Sequence, residues 1–338
     1  MTVKIGLSGF GRIGRLAMRA SMDMPNVEIV GINKRNANLE YMAYMLKYDT
    51  VFGRFPGEVG TYEGGLTING RKIPVSGENE IKDIDWVALG VDYVIECTGA
   101  FLTTEACLPH ITEGGAKKVI ISAPAKDDTP MFVVGVNSDE YDPAMQVVSN
   151  ASCTTNCLAP VAKVLNDKYG IEMGLMSTIH ASTSKQAAVD KSNEKDWRIG
   201  RSVYGNIIPS TTGAAKAVGK VIPALKGKLT GVSYRIPSAD GSVVDLNVVL
   251  KTPTTYEDVC ATLKEASETY MKGVLAYSEE ALTSVDILGE THTSIVDAKM
   301  GLGLTDTCFK VVSWYDNEFG YARKTLELAA IMDEKDNK

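Results

Sequence analysis

The feature that most constrains this chain is a strand running straight into glycines. Val3-Lys4-Ile5-Gly6-Leu7 leads into Ser8-Gly9-Phe10-Gly11-Arg12-Ile13-Gly14 and then a helical stretch. This is G-x-G-x-x-G in a strand–turn–helix setting. The first glycine permits the tight turn, the second lets backbone approach a pyrophosphate, and the third lets helix pack on strand. The helix N-terminus then offers N–H groups and a positive dipole end to phosphates. With 31 glycines among 338 residues the bare pattern arises easily. The flanking strand and helix make it an expectation of dinucleotide binding.

The first 150 residues keep this rhythm. β-Branched runs at 3–7, 27–32, 91–96, 119–122 and 132–136 read as buried strands, with helices at 16–22, 39–48 and 104–110. Alternating units of this kind build an α/β fold, a Rossmann-type doubly wound parallel sheet with right-handed crossovers. Residues 53–81 change to Gly-rich hairpin pieces, with Asn69-Gly70 as a two-residue turn. Farther on, strands are expected at 174–180, 230–236, 242–250 and 309–315, and helices at 154–168, 256–270 and 322–332. Long strands beside one another imply an α+β catalytic domain with a mixed or antiparallel sheet. The expected organisation is a binding domain of residues 1–151 and 317–338 and a catalytic domain of 152–316. Residues 181–213 are polar and weakly periodic, the mark of a functional or interface segment.

Length and charge narrow the function classes. A chain of 338 residues favours two domains, and 44% hydrophobic with 23% charged residues is a globular profile. Lys plus Arg is 35 against 42 Asp plus Glu, a net charge of -7, so no broad basic field exists for nucleic acid. No apolar run reaches the ~18 residues of a bilayer span, so no membrane partner is expected. The chain enters its first strand without a signal-peptide pattern. A cytoplasmic location is expected, the alternative being a plastid stroma reached by a transit peptide absent from this chain. Six thinly spread cysteines read as reduced thiols, and three histidines outside any ligand array argue against a metal site.

Two local clusters carry chemistry. The second strand ends at Ile32-Asn33, and Lys34-Arg35 stand where a carboxylate would accept hydrogen bonds from an adenosine ribose. Two cations there attract a 2′-phosphate, with charge-assisted hydrogen bonds worth roughly 1.5–3 kcal/mol each. The plain alternative is a solvated pair in a loop. In Ser149-Asn150-Ala151-Ser152-Cys153-Thr154-Thr155-Asn156-Cys157, Ser152 is a candidate N-cap, placing Cys153 in the first helical turn where the dipole favours a thiolate. A lone cysteine is more often a small buried hydrophobe. The polar neighbours argue otherwise for Cys153, whereas Cys157 should be buried and inert. A thiolate needs a proton-transfer partner, and His180, ending a strand and opening the long segment, is better placed than His110 or His292. These residues imply a dehydrogenase with covalent thiol chemistry on an aldehyde.

At these positions the sequence resembles phosphorylating glyceraldehyde-3-phosphate dehydrogenases nearly end to end, through 9–15, 46–49, 149–160, 178–181, 210–218 and 313–318. The resemblance implies a Cys153 thioester formed with His180 as base and opened by inorganic phosphate. It implies Thr183 and Arg235 on the substrate phosphate, and Ser152, Thr154, Thr212 and Gly213 on the attacking phosphate. Gly9, Gly11, Arg12, Ile13, Gly14, Ser122, Ser192 and Asn317 would hold the cofactor, Asn317 through the nicotinamide carboxamide. It further implies a homotetramer, with the long segment lining a neighbour's cofactor site, and a role in glycolysis, gluconeogenesis or reductive carbon fixation. NAD-using members usually carry Asp at the Lys34 position and Gly-Pro or Leu-Pro at Lys191-Ser192. Both departures point to NADP as the preferred cofactor, with NAD also used. Erythrose-4-phosphate dehydrogenase and a non-enzymatic binding protein on the same fold are the competing readings.

Overall fold

A computed structural model describes residues 2–338. They divide into two compact units: residues 2–134, 138–151 and 322–338 form the first, 135–137 and 152–321 the second.

In chain order the first unit contains β1 (Val3–Ser8), α1 (Arg12–Ala20), β2 (Val27–Asn33), α2 (Leu39–Lys47) and a two-strand clip, β3 (Tyr48–Asp49) with β4 (Gly53–Arg54). Then come β5 (Val59–Tyr62), β6 (Gly65–Ile68), β7 (Arg71–Ser76), β8 (Tyr93–Glu96), α3 (Thr104–Cys107), α4 (Pro109–Thr112), β9 (Lys118–Ile121) and β10 (Val147–Ser149). The sheet order is β10-β9-β8-β1-β2-β7-β6-β5. Strands from β10 through β7 are mutually parallel, while β7, β6 and β5 form an antiparallel edge. Strands on both sides of β1 come later in the chain, so the order reverses beside it. Ligands of doubly wound sheets bind at that point, outside the strands' carboxyl ends. Asn69 and Gly70 both take positive φ, 50° and 78°, as a type I′ hairpin turn requires.

Two expected elements differ. Residues 132–136 are not a strand: Met131 makes a single bridge to Ser149 and the chain turns at Gly135, φ 78°. The edge strand is instead the neighbouring β10, which pairs with β9. The helix expected at 104–110 is two short ones. Pro109 has no N–H to continue the ladder, so it opens α4 in the first turn.

The second unit contains α5 (Cys153–Tyr169), β11 (Ile171–Ala181), β12 (Ile208–Thr211), α6 (Ala214–Val221), β13 (Leu229–Ile236), β14 (Ser242–Leu250), α7 (Tyr256–Glu268), β15 (Leu275–Ser278), β16 (Ser294–Gly303) and β17 (Cys308–Tyr315). The first residues of α8 (Phe319–Asp336) belong here and the remainder to the first unit. The mixed sheet runs β12-β13-β11-β14-β17-β16-β15, with β11 parallel to β13 and antiparallel to β14. Alternation assigns the faces. Gly174, Met176, Thr178 and His180 of β11 are buried, whereas Leu175 is exposed. The central helix α5 packs against β11, β14, β16 and β17 and is flanked by α6 and α7.

Candidate active site

The thiol site starts from a helix cap. Ser152 has extended backbone, and its Oγ accepts from Thr155 N–H at 3.1 Å, so Cys153 is the first residue of α5. Ala151, just before the cap, takes left-handed backbone with φ 56°. One turn in, Cys157 is fully buried and its thiol donates to the Ser313 carbonyl at 3.6 Å; burial pushes this thiol up to about 12. Cys153 remains partly exposed.

His180 enters from β11 with Nε2 at 3.4 Å from Cys153 Sγ. Its Nδ1 lies 2.7 Å from the Ala181 carbonyl oxygen and 2.7 Å from Arg235 Nη1. Arginine only donates and a carbonyl only accepts, so Nδ1 serves one of them at a time. With the proton on Nδ1 bound to Ala181, Nε2 faces the sulfur as a base, and Arg235 donates to the same carbonyl at 3.2 Å. Sheet register brings the two side chains together, because His180 stands opposite Arg235 in the parallel β11–β13 pair. Tyr315 meets the imidazole edge-on at 5.8 Å, and its hydroxyl joins Thr154 Oγ1 at 2.8 Å and Thr178 Oγ1 at 2.9 Å.

Burial favours the neutral form of both partners. It pushes the His180 imidazole down, as does the Arg235 charge, against the Ala181 carbonyl. It pushes the Cys153 thiol up, with Arg235 and Thr154 drawing it back. The helix terminus under Cys153 works in the thiolate's favour. A proton passed from Sγ to Nε2 therefore leaves adjacent opposite charges, with the negative one at a helix N-terminus.

The other expected ligands occupy distinct places. Thr154 is tied to Tyr315 as above. Thr183 donates through N–H and hydroxyl to Gln186 Oε1, both at 2.9 Å. Arg235 Nε is buried and has no partner among the described residues. Thr212 Oγ1 accepts from Ala214 N–H at 3.2 Å, and Gly213 caps α6 with open space where a Cβ would stand. Ser192 is exposed on the long segment.

In the first unit a cavity of about 330 Å³ lies against the ends of β1 and β2 and the residues after β8. Gly9 has φ 96°; a Cβ on Gly14 would lie 2.4 Å from the Gly9 carbonyl oxygen, while one on Gly11 would meet nothing within 4 Å. The turn is thus closed on the helix side and bare on the Gly11 side, where α1 begins: a cradle that fits a pyrophosphate. Lys34 and Arg35 line this cavity together with Glu78, and Lys34 Nζ donates to the Arg35 carbonyl at 2.8 Å. Arg12 is ion-paired with Asp49. Ile13 follows it in the first turn of α1 and is half-buried. Ser122 donates from hydroxyl and N–H to the Glu96 carbonyl at 2.8 and 3.1 Å.

Three groups of residues escaped the sequence reading. Tyr315 is one. A buried chain is the second: Trp86 Nε1–H donates to His110 Nδ1 at 3.0 Å, so His110 offers its Nε2 proton to Glu96, 3.3 Å away. Glu96 in turn accepts from Thr98, which lines the cavity. The third surrounds Asn317. Ser242 Oγ donates to Asn317 Oδ1 at 2.5 Å, and the Asp316 carboxylate accepts from the N–H groups of Gly289, Glu318 and Phe319. Asp240, buried nearby, is pushed up to about 9 by burial and by the charges of Asp316 and Glu318. Sequence spacing carries no signal for these contacts.

The chain is similar to known proteins along nearly its whole length. Residues 3–104 match the family described as glyceraldehyde 3-phosphate dehydrogenase, NAD binding domain, and residues 152–317 match glyceraldehyde 3-phosphate dehydrogenase, C-terminal domain. The chain is 56% identical over 337 residues to glyceraldehyde-3-phosphate dehydrogenase of Yarrowia lipolytica, covering 99% of each. It is 55% identical over 334 residues to glyceraldehyde-3-phosphate dehydrogenase 1 of Schizosaccharomyces pombe, again 99% of each. Against a cytosolic relative of that name from Gracilaria gracilis it is 53% identical over 331 residues, 98% of each.

Proposed function

The chain belongs to the glyceraldehyde-3-phosphate dehydrogenase family, and from that premise we propose that it converts D-glyceraldehyde 3-phosphate and phosphate reversibly to 1,3-bisphosphoglycerate. The observation that carries this reading is the 3.4 Å contact between Cys153 Sγ and His180 Nε2 at the start of α5.

Cys153 sulfur adds to the aldehyde carbon, its proton reaching the new hydroxyl by way of His180. When bound, the dinucleotide supplies the two-electron acceptor for the hydride that this carbon loses. His180 Nε2 takes the hydroxyl proton in that step, leaving a thioester on Cys153. Inorganic phosphate then attacks the thioester carbonyl, the C–S bond breaks, and the departing thiolate sits again at the helix N-terminus. Arg235 and Thr183 hold the substrate phosphate; Ser152, Thr154, Thr212 and Gly213 receive the attacking one. Gly9, Gly11, Arg12, Ile13, Gly14, Ser122, Ser192 and Asn317 hold the cofactor.

NADP is the preferred dinucleotide in this reading, with NAD also accepted. Support comes from Lys34 and Arg35 on the cavity wall, where NAD-using members usually carry Asp. A homotetramer is supported by the 181–213 segment, which leaves Val189, Trp197 and Tyr204 at least 70% exposed. No helix among the described residues is long and apolar enough to cross a membrane. The reading places the reaction in the cytoplasm, in glycolysis or gluconeogenesis, and the cytosolic relative from Gracilaria gracilis supports it.

The test is reduced-cofactor formation that needs glyceraldehyde 3-phosphate and phosphate together. Alkylating Cys153 should abolish it, and Cys153→Ser should lower it by about 10⁴-fold or more. Full activity with Cys153 blocked overturns the reading, and erythrose 4-phosphate as the better substrate reassigns it. A wild-type preference for NAD⁺ removes the NADP part. Lys34→Asp should cut NADP⁺ efficiency about tenfold or more while sparing NAD⁺.

A further inference from the structure

The geometry points to Ser242 as the positioning residue that decides which end of the Asn317 amide is offered to the cofactor. This rests on the reading above, in which Asn317 binds the nicotinamide carboxamide. Ser242 opens β14 and is fully buried. Its Oγ meets two groups, Ala181 N at 3.0 Å and Asn317 Oδ1 at 2.5 Å. The Ala181 N–H can only donate, so it occupies a lone pair of the serine oxygen. The single hydroxyl proton is then directed to Asn317, and only the carbonyl end of the amide can accept it. Oδ1 is held toward Ser242 and Nδ2 becomes the end left to offer.

That end is buried and has no partner among the described residues. A buried donor without an acceptor bears its desolvation cost with no return until an oxygen arrives. The site therefore selects a carboxamide presented oxygen-first. The Asn317 backbone is fixed separately, by the three N–H groups that the Asp316 carboxylate accepts. Losing the Ser242 proton frees the amide to rotate without releasing its turn. The same serine oxygen holds the N–H next to His180, so one hydroxyl registers both the amide and the base-bearing strand.

A double-mutant cycle tests this. Ser242→Ala should raise the KM for the dinucleotide about tenfold, with the KM for the aldehyde unchanged. Asn317→Ala should raise it at least as much, and the cofactor KM of the double variant should be no higher than that of Asn317→Ala alone, since Ser242 acts on that constant through the amide. Should Ser242→Ala fail to fold, Ser242→Cys, similar in volume but a weak donor, carries the same comparison. Losses that add in the double variant overturn the inference, as does an unchanged cofactor KM in the Ser242 variant when Asn317→Ala is impaired. In both cases the role of Asn317 survives. An unchanged cofactor KM in Asn317→Ala removes that role and this inference with it.

Discussion

The cofactor cavity of the first unit and the thiol site of the second achieve precision by opposite means. The cavity is made largely by backbone: its defining residues are glycines, and what matters at Gly9, Gly11 and Gly14 is the missing side chain. The thiol site is made by side chains on regular elements, with Cys153 on a capped helix and His180 and Arg235 facing each other across a strand pair. The first should therefore be sensitive to added volume and the second to lost functional groups.

Substitution at the thiol site should show the largest effect. His180→Asn keeps a similar volume but removes the base, and kcat should fall by about 10²–10⁴-fold with cofactor KM unchanged. A fall below tenfold in steady-state kinetics would make His180 a packing residue and collapse the contrast. At the glycines, Gly14→Ala forces a methyl group to within 2.4 Å of a backbone carbonyl oxygen and should cost about 1–3 kcal/mol in thermal or urea unfolding. Gly11→Ala, with nothing within 4 Å, should unfold like the wild type yet bind the dinucleotide more weakly in calorimetric titration. Equal stability of the two variants would show that the turn is not closed as described.

The smallest effect concerns charge. Asp240 holds its proton in the folded state well above its ordinary value, so folding takes up a proton that the unfolded chain has released. The group's contribution is most favourable at low pH and is lost as pH rises from about 4 toward 9. Asp240→Asn needs no such proton, and its unfolding free energy, read by urea denaturation, should gain on the wild type as pH rises from 5 to 9, by on the order of 1 kcal/mol or more. A gap that stays flat with pH would mean Asp240 is ionised.

The same division explains what the sequence disclosed. Glycine fingerprints and caps are local, so β1, the turn and the N-terminus of α5 were legible, as was β14, expected at 242–250 and found there. Four of the long strands announced the second sheet, but the four-residue β12 and β15 are too short to show a period, and the ten-residue β16 escaped because four buried residues, Ser294–Asp297, are followed by mostly exposed Lys299–Gly303 with no alternation. Cys153 and His180 were paired from a local cap and a strand end, and the structure sets them 3.4 Å apart. Tyr315 and Ser242 were not, because each acts by a hydrogen bond to residues far away in sequence, 161 positions for Tyr315 with Thr154 and 75 for Ser242 with Asn317. The 132–136 run had the composition of a strand, but its neighbour β10 took the pairing position.

The register of β11 against β13 has one further consequence. His180 and Arg235 face each other because eight consecutive residue pairs align, from Gly174 with Leu229 to Ala181 with Ile236. A slip of one residue would turn every side chain of the strand to the other face. The base is thus placed by a register that can change only in whole residues. Inserting or deleting a single residue in β11 should silence the enzyme outright, whereas the segment after Ala181 can change length without moving the imidazole.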